Sequence, residues 1–346
     1  MERTLPWAWY RDPEILRREN ERIFGHAWQY VGQIGQVTEN GTFFAAAAGQ
    51  IPVVVTRAAD GELRAFLNVC RHRGHVVAAG AGSRATLQCP YHAWTYGLDG
   101  NLRAAPRSDR EAGFEADELG LAAIQLETWG PFIFVNPDLD APPLTDALGD
   151  VPAQLAEILD VDALEFRFRV ESELETNWKI CCENFLECYH CAVAHPGFSA
   201  AVDVSPDAYR LESNGLVSSQ FGPLRRNRDS FLAGHEVARS QFHFLWPNFG
   251  LNVFPGHPNL SCGPILPLGP EHTARFLDYF FAPDVDQAWI DELVAFDSQV
   301  GAEDKALVEG VQRGVRSGVL TEGRLLSQSE QLVVHFQRLC REALAE

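Results

Sequence analysis

Two short clips constrain this chain more than anything else in it: Cys70-Arg71-His72 and, sixteen residues later, Cys89-Pro90-Tyr91-His92. Each clip offers one thiolate and one imidazole. If the four donors serve one inorganic group, two loops of a small domain must meet tip to tip. A Cys₂His₂ set can hold zinc or a two-iron cluster. Zinc fingers pair Cys with Cys and His with His in separate halves, whereas each clip here is mixed. That suits a [2Fe–2S] cluster with Cys70 and Cys89 on one iron and His72 and His92 on the other. Neutral imidazoles in place of two thiolates raise the cluster's potential and suit it to one-electron relay. Gly74 and Pro90 permit the tight turns the clips need. A structural zinc is the competing reading.

The flanking sequence supplies a domain of the right kind. Between residues 27 and 140, short β-type runs (GTFFAAAA, IPVVVTRA, ELRAFLNV, TWGPFIFVN) are separated by Gly, Pro and the Asp-Gly pairs at 60–61 and 99–100. This predicts a small antiparallel β domain with hairpins. Pro137 and Pro142-Pro143 punctuate its end. Residues 1–26 are a charged, helical segment expected to pack on the larger domain at 141–346. Over that larger domain the patterns predict helices at 144–159, 177–194, 285–315 and 328–345, and strands at 165–176 and near 208–221, 241–254 and 273–281. Leu332, Val333, Phe336, Leu339 and Cys340 give the last helix an apolar stripe. The expected class is α+β, with the β domain inserted in a larger domain of antiparallel sheet and helices.

A second constellation lies in that larger domain: Asn177-Trp178-Lys179, then Glu183-Asn184-Phe185-Leu186-Glu187-Cys188-Tyr189-His190, then His195-Pro196. Histidines five apart point roughly 140° apart on an ideal helix. They converge on one metal only if the helix ends or distorts between them, which Pro196 and Gly197 favour. Taken alone, this spacing also fits a pair of structural histidines.

The stretch CRHRG…CPYHAW resembles the signature of the Rieske non-haem iron oxygenase α subunits, and the downstream His-x₄-His segment resembles their mononuclear-iron motif. The resemblance implies a helix-grip-like catalytic domain at 141–346 and a Rieske domain at 27–140. It implies that Cys70, His72, Cys89 and His92 hold the cluster, that His75 does not, and that His190 and His195 bind Fe(II). An Asp from a late helix completes a facial triad; Asp304 is the choice, with Glu303 and Glu309 as alternatives. It further implies that Glu187, beside Asn184, bridges His190 to His92 of a neighbouring subunit, and hence a homo-oligomer, most simply a trimer. Ala93 stands where many members have Gly, a change expected to cost little. Glu187 and the short ENFLECYHC spacing depart from the ring-dihydroxylating pattern and resemble the branch acting on quaternary ammonium compounds.

A member of this family activates O₂ and hydroxylates a C–H bond; on an N-methyl group the product loses formaldehyde. No dinucleotide-binding G-x-G-x-x-G follows a strand, so electrons from NAD(P)H are expected through a separate flavin/iron–sulfur reductase. Phe185, Phe244, Trp246, Phe249 and Phe254 are the aromatic candidates for a small-molecule pocket, able to face a cationic head group. A net charge of −19 agrees with a cationic substrate and argues against nucleic acid or an anionic membrane as partner. With no apolar leader and no membrane span, the expected location is the cytoplasm, where the eight Cys are not a disulfide framework. The alternatives are an aromatic or heterocyclic substrate, mono- or dihydroxylated, or a Rieske electron carrier without catalysis.

Overall fold

The computed structural model describes residues 2–225 and 230–345. The chain divides into two compact units, Phe24–Leu144 and Met1–Ile23 with Thr145–Glu346. The sequence reading drew its limits at 26 and 140, three and four residues from those of the compact units.

The β unit holds a seven-stranded antiparallel sheet, in the order Gln29–Gln33, Phe132–Asn136, Ala123–Trp129, Leu63–Leu67, Ile51–Arg57, Thr42–Ala48, Ala81–Ser83. A three-stranded sheet of Thr86–Gln88, Thr95–Gly97 and Leu102–Ala104 accompanies it. The run IPVVVTR is apolar on consecutive positions because both faces of its strand are covered. Val53 and Val55 join one core with Val31, Ile133 and Val135. Val54 points the other way, into a core that contains Cys70, Cys89, Leu87 and Tyr96. The strand's period of two thus sorts its valines between a scaffold core and a core beneath the two clips.

The second unit is built on a seven-stranded antiparallel sheet. Its strands are β1 (Glu165–Leu174), β2 (Arg210–Asn214), β3 (Val217–Pro223), β4 (Arg239–Leu245), β5 (Phe249–Val253), β6 (Asn259–Gly269) and β7 (His272–Phe281). The spatial order is β1-β7-β6-β5-β4-β3-β2. Apart from the β1–β7 pairing, this is a meander. The regions expected as single strands near 208–221 and 241–254 are each a hairpin, and β6 was missed in the sequence. Its NLSCGPILPLG lacks alternation because nearly every residue is buried.

Five helices matter for the site: α1 (Trp178–Phe185), α2 (Cys191–Ala194), α3 (Pro196–Ala201), α4 (Gln287–Arg316) and α5 (Gln331–Leu344). The Asn177-Trp178-Lys179 motif anchors α1. Asn177 caps it, its side chain accepting from the Lys179 amide at 3.0 Å. Trp178 Nε1 donates to Glu19 Oε2 at 2.8 Å, and the Lys179 ammonium pairs with the same carboxylate. Glu19 and Lys179 are both fully buried. The N-terminal segment is therefore held to α1 by a buried charge pair. Tyr10 adds a hydroxyl hydrogen bond to Glu183 Oε1 at 2.7 Å.

The cysteine expectation needs correcting. Cys188 and Cys191 are joined in a disulfide, while the other six Cys are free and buried. Three residues apart at a helix end, the two sulfurs are neighbours whatever the compartment, a proximity that a search for a framework overlooks. Among the described residues, no helix is long and apolar enough to cross a membrane.

Candidate metal centres and substrate pocket

In the β unit the two clips adopt the same loop. The Cys70 carbonyl accepts from the Gly74 amide at 3.0 Å, and the Cys70 amide donates to the His75 carbonyl at 2.8 Å. In the second loop the Cys89 carbonyl accepts from Ala93 N at 3.0 Å, and the Cys89 amide donates to the Trp94 carbonyl at 2.8 Å. Each turn closes through a residue with positive φ, +75° at Gly74 and +58° at Ala93. The cost at Ala93 is therefore not small: an L-residue with a Cβ in the left-handed region is strained by about 1 kcal/mol relative to Gly.

The donors are sorted by depth. Cys70 and Cys89 are each 2% exposed, whereas His72 and His92 lie at the surface. The imidazole rings sit 4.7 Å apart at 75°, and His72 stacks on Trp94. Tyr96 Oη lies 3.3 Å from Cys70 Sγ and accepts from the Arg71 amide at 3.0 Å. Two sheltered sulfurs with a hydroxyl beside one of them, and two outward imidazoles, fit a cluster whose sulfur-ligated iron is inside and whose histidine-ligated iron is outside. His75 is exposed, and its Nδ1 lies 2.6 Å from the Val76 carbonyl, turned to its own backbone.

In the second unit the expected helix 177–194 is broken. Helix α1 ends at Phe185, and α2 is a single turn starting after His190. Glu187 fills the gap: its carboxylate accepts from the Tyr189 amide and from the His190 amide, the latter at 3.2 Å. His195 ends α2 at φ −119°, ψ 73°, and Pro196 opens α3. The residue before a proline is pushed out of helical geometry, and this turns the second histidine toward the first.

His190 Nε2 and His195 Nε2 are 3.1 Å apart, His195 Nε2 is 3.0 Å from Asp304 Oδ1, and His190 Nε2 is 3.6 Å from the same oxygen. Adjacent ligands about 2.1 Å from an octahedral metal stand about 3.0 Å apart. The three atoms thus outline one face of such a centre and leave the opposite face open. Among the described residues, His190, His195 and Asp304 form one of two groups compact enough to hold an ion. The other is His235, Glu236 and His257. Its imidazole ring centroids lie 3.9 Å apart, against 5.0 Å for His190 and His195. Two rings bound to one metal at a right angle would lie about 4.6 Å apart or more, so only the first group has chelating geometry.

The far ring nitrogens are also held. His190 Nδ1 pairs with Glu187 Oε1, and His195 Nδ1 pairs with Glu303 Oε2 at 2.7 Å. Each contact places the proton on Nδ1 and turns Nε2 to the centre as a donor. Glu303, weighed in the sequence as a possible ligand, instead pairs with the far ring nitrogen of His195. Glu309 lies away from the centre, accepting from the Glu175 amide at 3.2 Å. Asn184 Nδ2 donates to Asp304 Oδ1 at 2.8 Å. Burial alone would raise the Asp304 carboxyl; its hydrogen bonds with His190, His195 and Asn184 overcome that and hold it well below the usual range. Burial likewise disfavours charge on His190, yet Asp304 and Glu187 push it up to about 9. The same field favours any bound cation.

The three donors line a cavity of about 130 Å³. Phe185, Phe198, Tyr209, Phe242, Phe254 and Phe276 give it aromatic walls. Phe185 and Phe254 were expected; Phe244, Trp246 and Phe249 do not reach it. Phe244 shares a strand face with Phe242 but lies two residues further on, with Phe185 and Phe336 around it. Trp246 packs on Phe336. Phe249 is off phase: on β5 the lining positions are Gly250, Asn252 and, just past the strand, Phe254. Helix α4 contributes Asp297, Val300, Gly301 and Asp304, an i, i+3, i+4, i+7 stripe that the helical period from Asp304 would have shown.

Comparison with known proteins identifies both units. Residues 27–126 match the Rieske [2Fe–2S] domain, and residues 161–346 match the ring hydroxylating α subunit, catalytic domain. The chain is 33% identical to the chloroplastic choline monooxygenase of Beta vulgaris, over 99% of this chain and 77% of that protein. This chain belongs to the Rieske non-haem iron oxygenase family. The oxygenase is also 32% identical to the carnitine monooxygenase oxygenase subunit of Escherichia coli (strain K12), over 99% of this chain and 94% of that one. A crystal structure of the quaternary ammonium Rieske monooxygenase CntA with an inhibitor superposes with a TM-score of 0.87 at 30% identity, covering 99% of this chain and 95% of that chain. Naphthalene 1,2-dioxygenase from Rhodococcus sp. superposes at 0.82 with 21% identity, a likeness of fold. The oxygenase is an oxidoreductase that works with a Rieske cluster, a mononuclear iron, O₂ and electrons from a separate reductase.

Proposed function

We propose that this oxygenase is the terminal component of a monooxygenase system for a quaternary ammonium compound, hydroxylating a carbon next to the charged nitrogen. Where that carbon is an N-methyl group, the carbinolamine breaks down to formaldehyde and a tertiary amine. One observation carries the reading: the open face of the His190, His195 and Asp304 set lines a cavity that combines aromatic walls with the carboxyl groups of Glu187 and Asp297. Aromatic faces and acids together suit a cation that cannot donate hydrogen bonds. The named activities of the choline and carnitine relatives point the same way.

Each residue takes a role under this reading. Cys70 and Cys89 would hold one iron of the cluster and His72 and His92 the other; His190, His195 and Asp304 would hold the mononuclear iron. The cluster and iron together supply electron storage and O₂ activation. Glu303 and Glu187 fix the ring orientation of the two ligand histidines. Asn184 holds the Asp304 carboxylate and limits it to its ligating direction. Glu187 has lone pairs beyond those it uses within its own loop. With them it would accept the outward N–H of His92 of the partner subunit, joining the exposed end of one chain's cluster to another chain's iron. Such head-to-tail pairing closes most simply as a trimer. The expected setting is cytoplasmic, with a flavin/iron–sulfur reductase fed by NAD(P)H.

The test is turnover by the reconstituted enzyme with reductase, NADH and O₂. Quaternary ammonium compounds should be consumed, with formaldehyde appearing in step with N-methyl loss. Oxidation confined to aromatic compounds would replace the reading with its alternative. Iron analysis should find one iron per chain beyond the two of the cluster, lost in His190→Ala while the cluster absorption stays.

A further inference from the structure

Resting on the assignment of His190 as a ligand of the mononuclear iron, we propose that Cys188 and Cys191 form a reversible redox site. As a disulfide the pair locks His190 in its ligating position; opened by thiols, it loosens that hold on the iron.

The pair brackets the ligand. Cys188 follows Glu187 and Cys191 follows His190, so the bond between them closes a ring of four residues that contains Tyr189 and His190. Their Cα atoms stand 4.9 Å apart. Cys191 Sγ lies 4.0 Å from His190 Nε2, the donor atom of the triad. Cys191 also opens α2, the single turn that separates the two histidines. Its carbonyl accepts from the His195 amide at 3.0 Å and from the Ser199 hydroxyl at 2.8 Å. The bond therefore ties the Glu187 turn to the turn that sets both ligands. Tyr189 is 63% exposed, so packing does little to hold that side of the ring.

Reduction does not leave this geometry in place. Two sulfurs that are no longer bonded retreat to van der Waals separation, roughly 3.5 Å or more. Both side chains are packed in one core cluster with Phe198, Phe242 and Phe254, where close packing leaves little slack. The extra room must come from the ring itself, and the ring carries His190. The pair is also reachable. Cys188 and Cys191 are the only cysteines among the described residues that line the cavity of the metal site. In the cytoplasmic setting proposed above, the disulfides that form are mostly transient or redox-sensing. A small dithiol breaks the Cys188–Cys191 bond and closes to its own disulfide, passing two electrons and two protons to the pair. In the reverse direction the two thiols give two electrons and two protons to hydrogen peroxide, forming the S–S bond and two waters.

The test treats the cluster-loaded enzyme with dithiothreitol, without oxygen, and alkylates it while folded. Trypsin releases residues 180–210, which contain Cys181, Cys182, Cys188 and Cys191. Cys188 and Cys191 should take label only after the dithiol, and stoichiometric peroxide, added before iron, should make them resistant again. Fe(II) affinity is then measured by dialysis against chelators once the dithiol is removed, with the cluster absorption reporting intact protein. The reduced wild type should bind Fe(II) about tenfold more weakly than the oxidised form, as for other groups that orient a metal-bound histidine. Cys188→Ser should match the reduced wild type and lose the response to dithiol. A bond that resists dithiothreitol in the folded protein, equal affinity in the two redox states, or tighter binding on reduction would overturn the lock while the iron assignment stands. If His190→Ala keeps the third iron, the assignment fails and the lock fails with it.

Discussion

Removing Glu303 should weaken iron binding without touching a ligand. The carboxylate lies 2.7 Å from His195 Nδ1 and is itself held by Gln299 Nε2 at 3.1 Å. His195 is 2% exposed, so its ring has no water ready to replace that acceptor on the buried side. Groups that orient a metal-bound histidine are worth about 10- to 100-fold in metal affinity. The Glu303 side chain is 26% exposed, which lets solvent repair part of the loss. That places Glu303→Ala near the lower end, about tenfold, or about 1.4 kcal/mol. Glu303→Gln retains a carbonyl that can accept from Nδ1 and should stay within about threefold of the wild type. The assay is equilibrium dialysis of Fe(II) against a chelator series, with the cluster absorption as an internal measure of intact protein. Glu309→Ala, away from the centre, is the control. Wild-type affinity in Glu303→Ala, or equal losses in Glu303→Ala and Glu309→Ala, would refute the argument that the His195 ring is gripped from behind.

Further outcomes can be checked on the same protein. Ala93→Gly should stabilise the β unit by about 1 kcal/mol in thermal melts, because it relieves a positive φ; a lower melting temperature would contradict the strain. Lys179→Met leaves the fully buried Glu19 without its counter-charge and should cost about 3–5 kcal/mol in denaturant melts, while adding Glu19→Leu should recover much of the loss. Burial pushes the Glu183 carboxyl up to about 7 from 4.5. The folded state therefore binds the proton more tightly than the unfolded chain, and stability should fall as pH rises from about 4.5 to about 7. Glu183→Gln should flatten that slope in melts across the same window. Glu187→Gln should keep both metals and slow electron delivery to the mononuclear iron, read in single-turnover kinetics as delayed cluster oxidation.

Much of this was legible in the sequence because chemistry constrains residue types more tightly than geometry does. The mixed clips narrow their inorganic group to a two-iron cluster or a zinc before any fold is known, and Asp-Gly turns with short apolar runs identify the β unit. The histidine pair was harder. Its spacing is wrong for a helix, and its convergence depends on a break before His190 supplied by Glu187, a residue that resemblance marked for another role. The pocket was read least well. Phe244 and Phe249 are as aromatic as Phe242 and Phe254, and strand position and parity alone separate them. Glu303 was weighed only as a ligand, and its contact with His195 was out of reach for a different reason: a surface acid is common, and its meaning comes from what faces it across the fold.

Helix α4 carries Asp304 at the metal face and Asp297 two turns earlier, about 10 Å away along a rigid axis. It therefore works as a calliper. The spacing between the donor face at Asp304 and the cavity wall at Asp297 is set by helical rise, which point substitutions do not change. Relatives that keep this helix could change the chemistry of a substrate's tail by altering the residues that face it, but a longer or shorter tail would have to be accommodated by side-chain size at Val300 and Gly301. Selectivity for length and selectivity for charge would then change through different residues and at separate times.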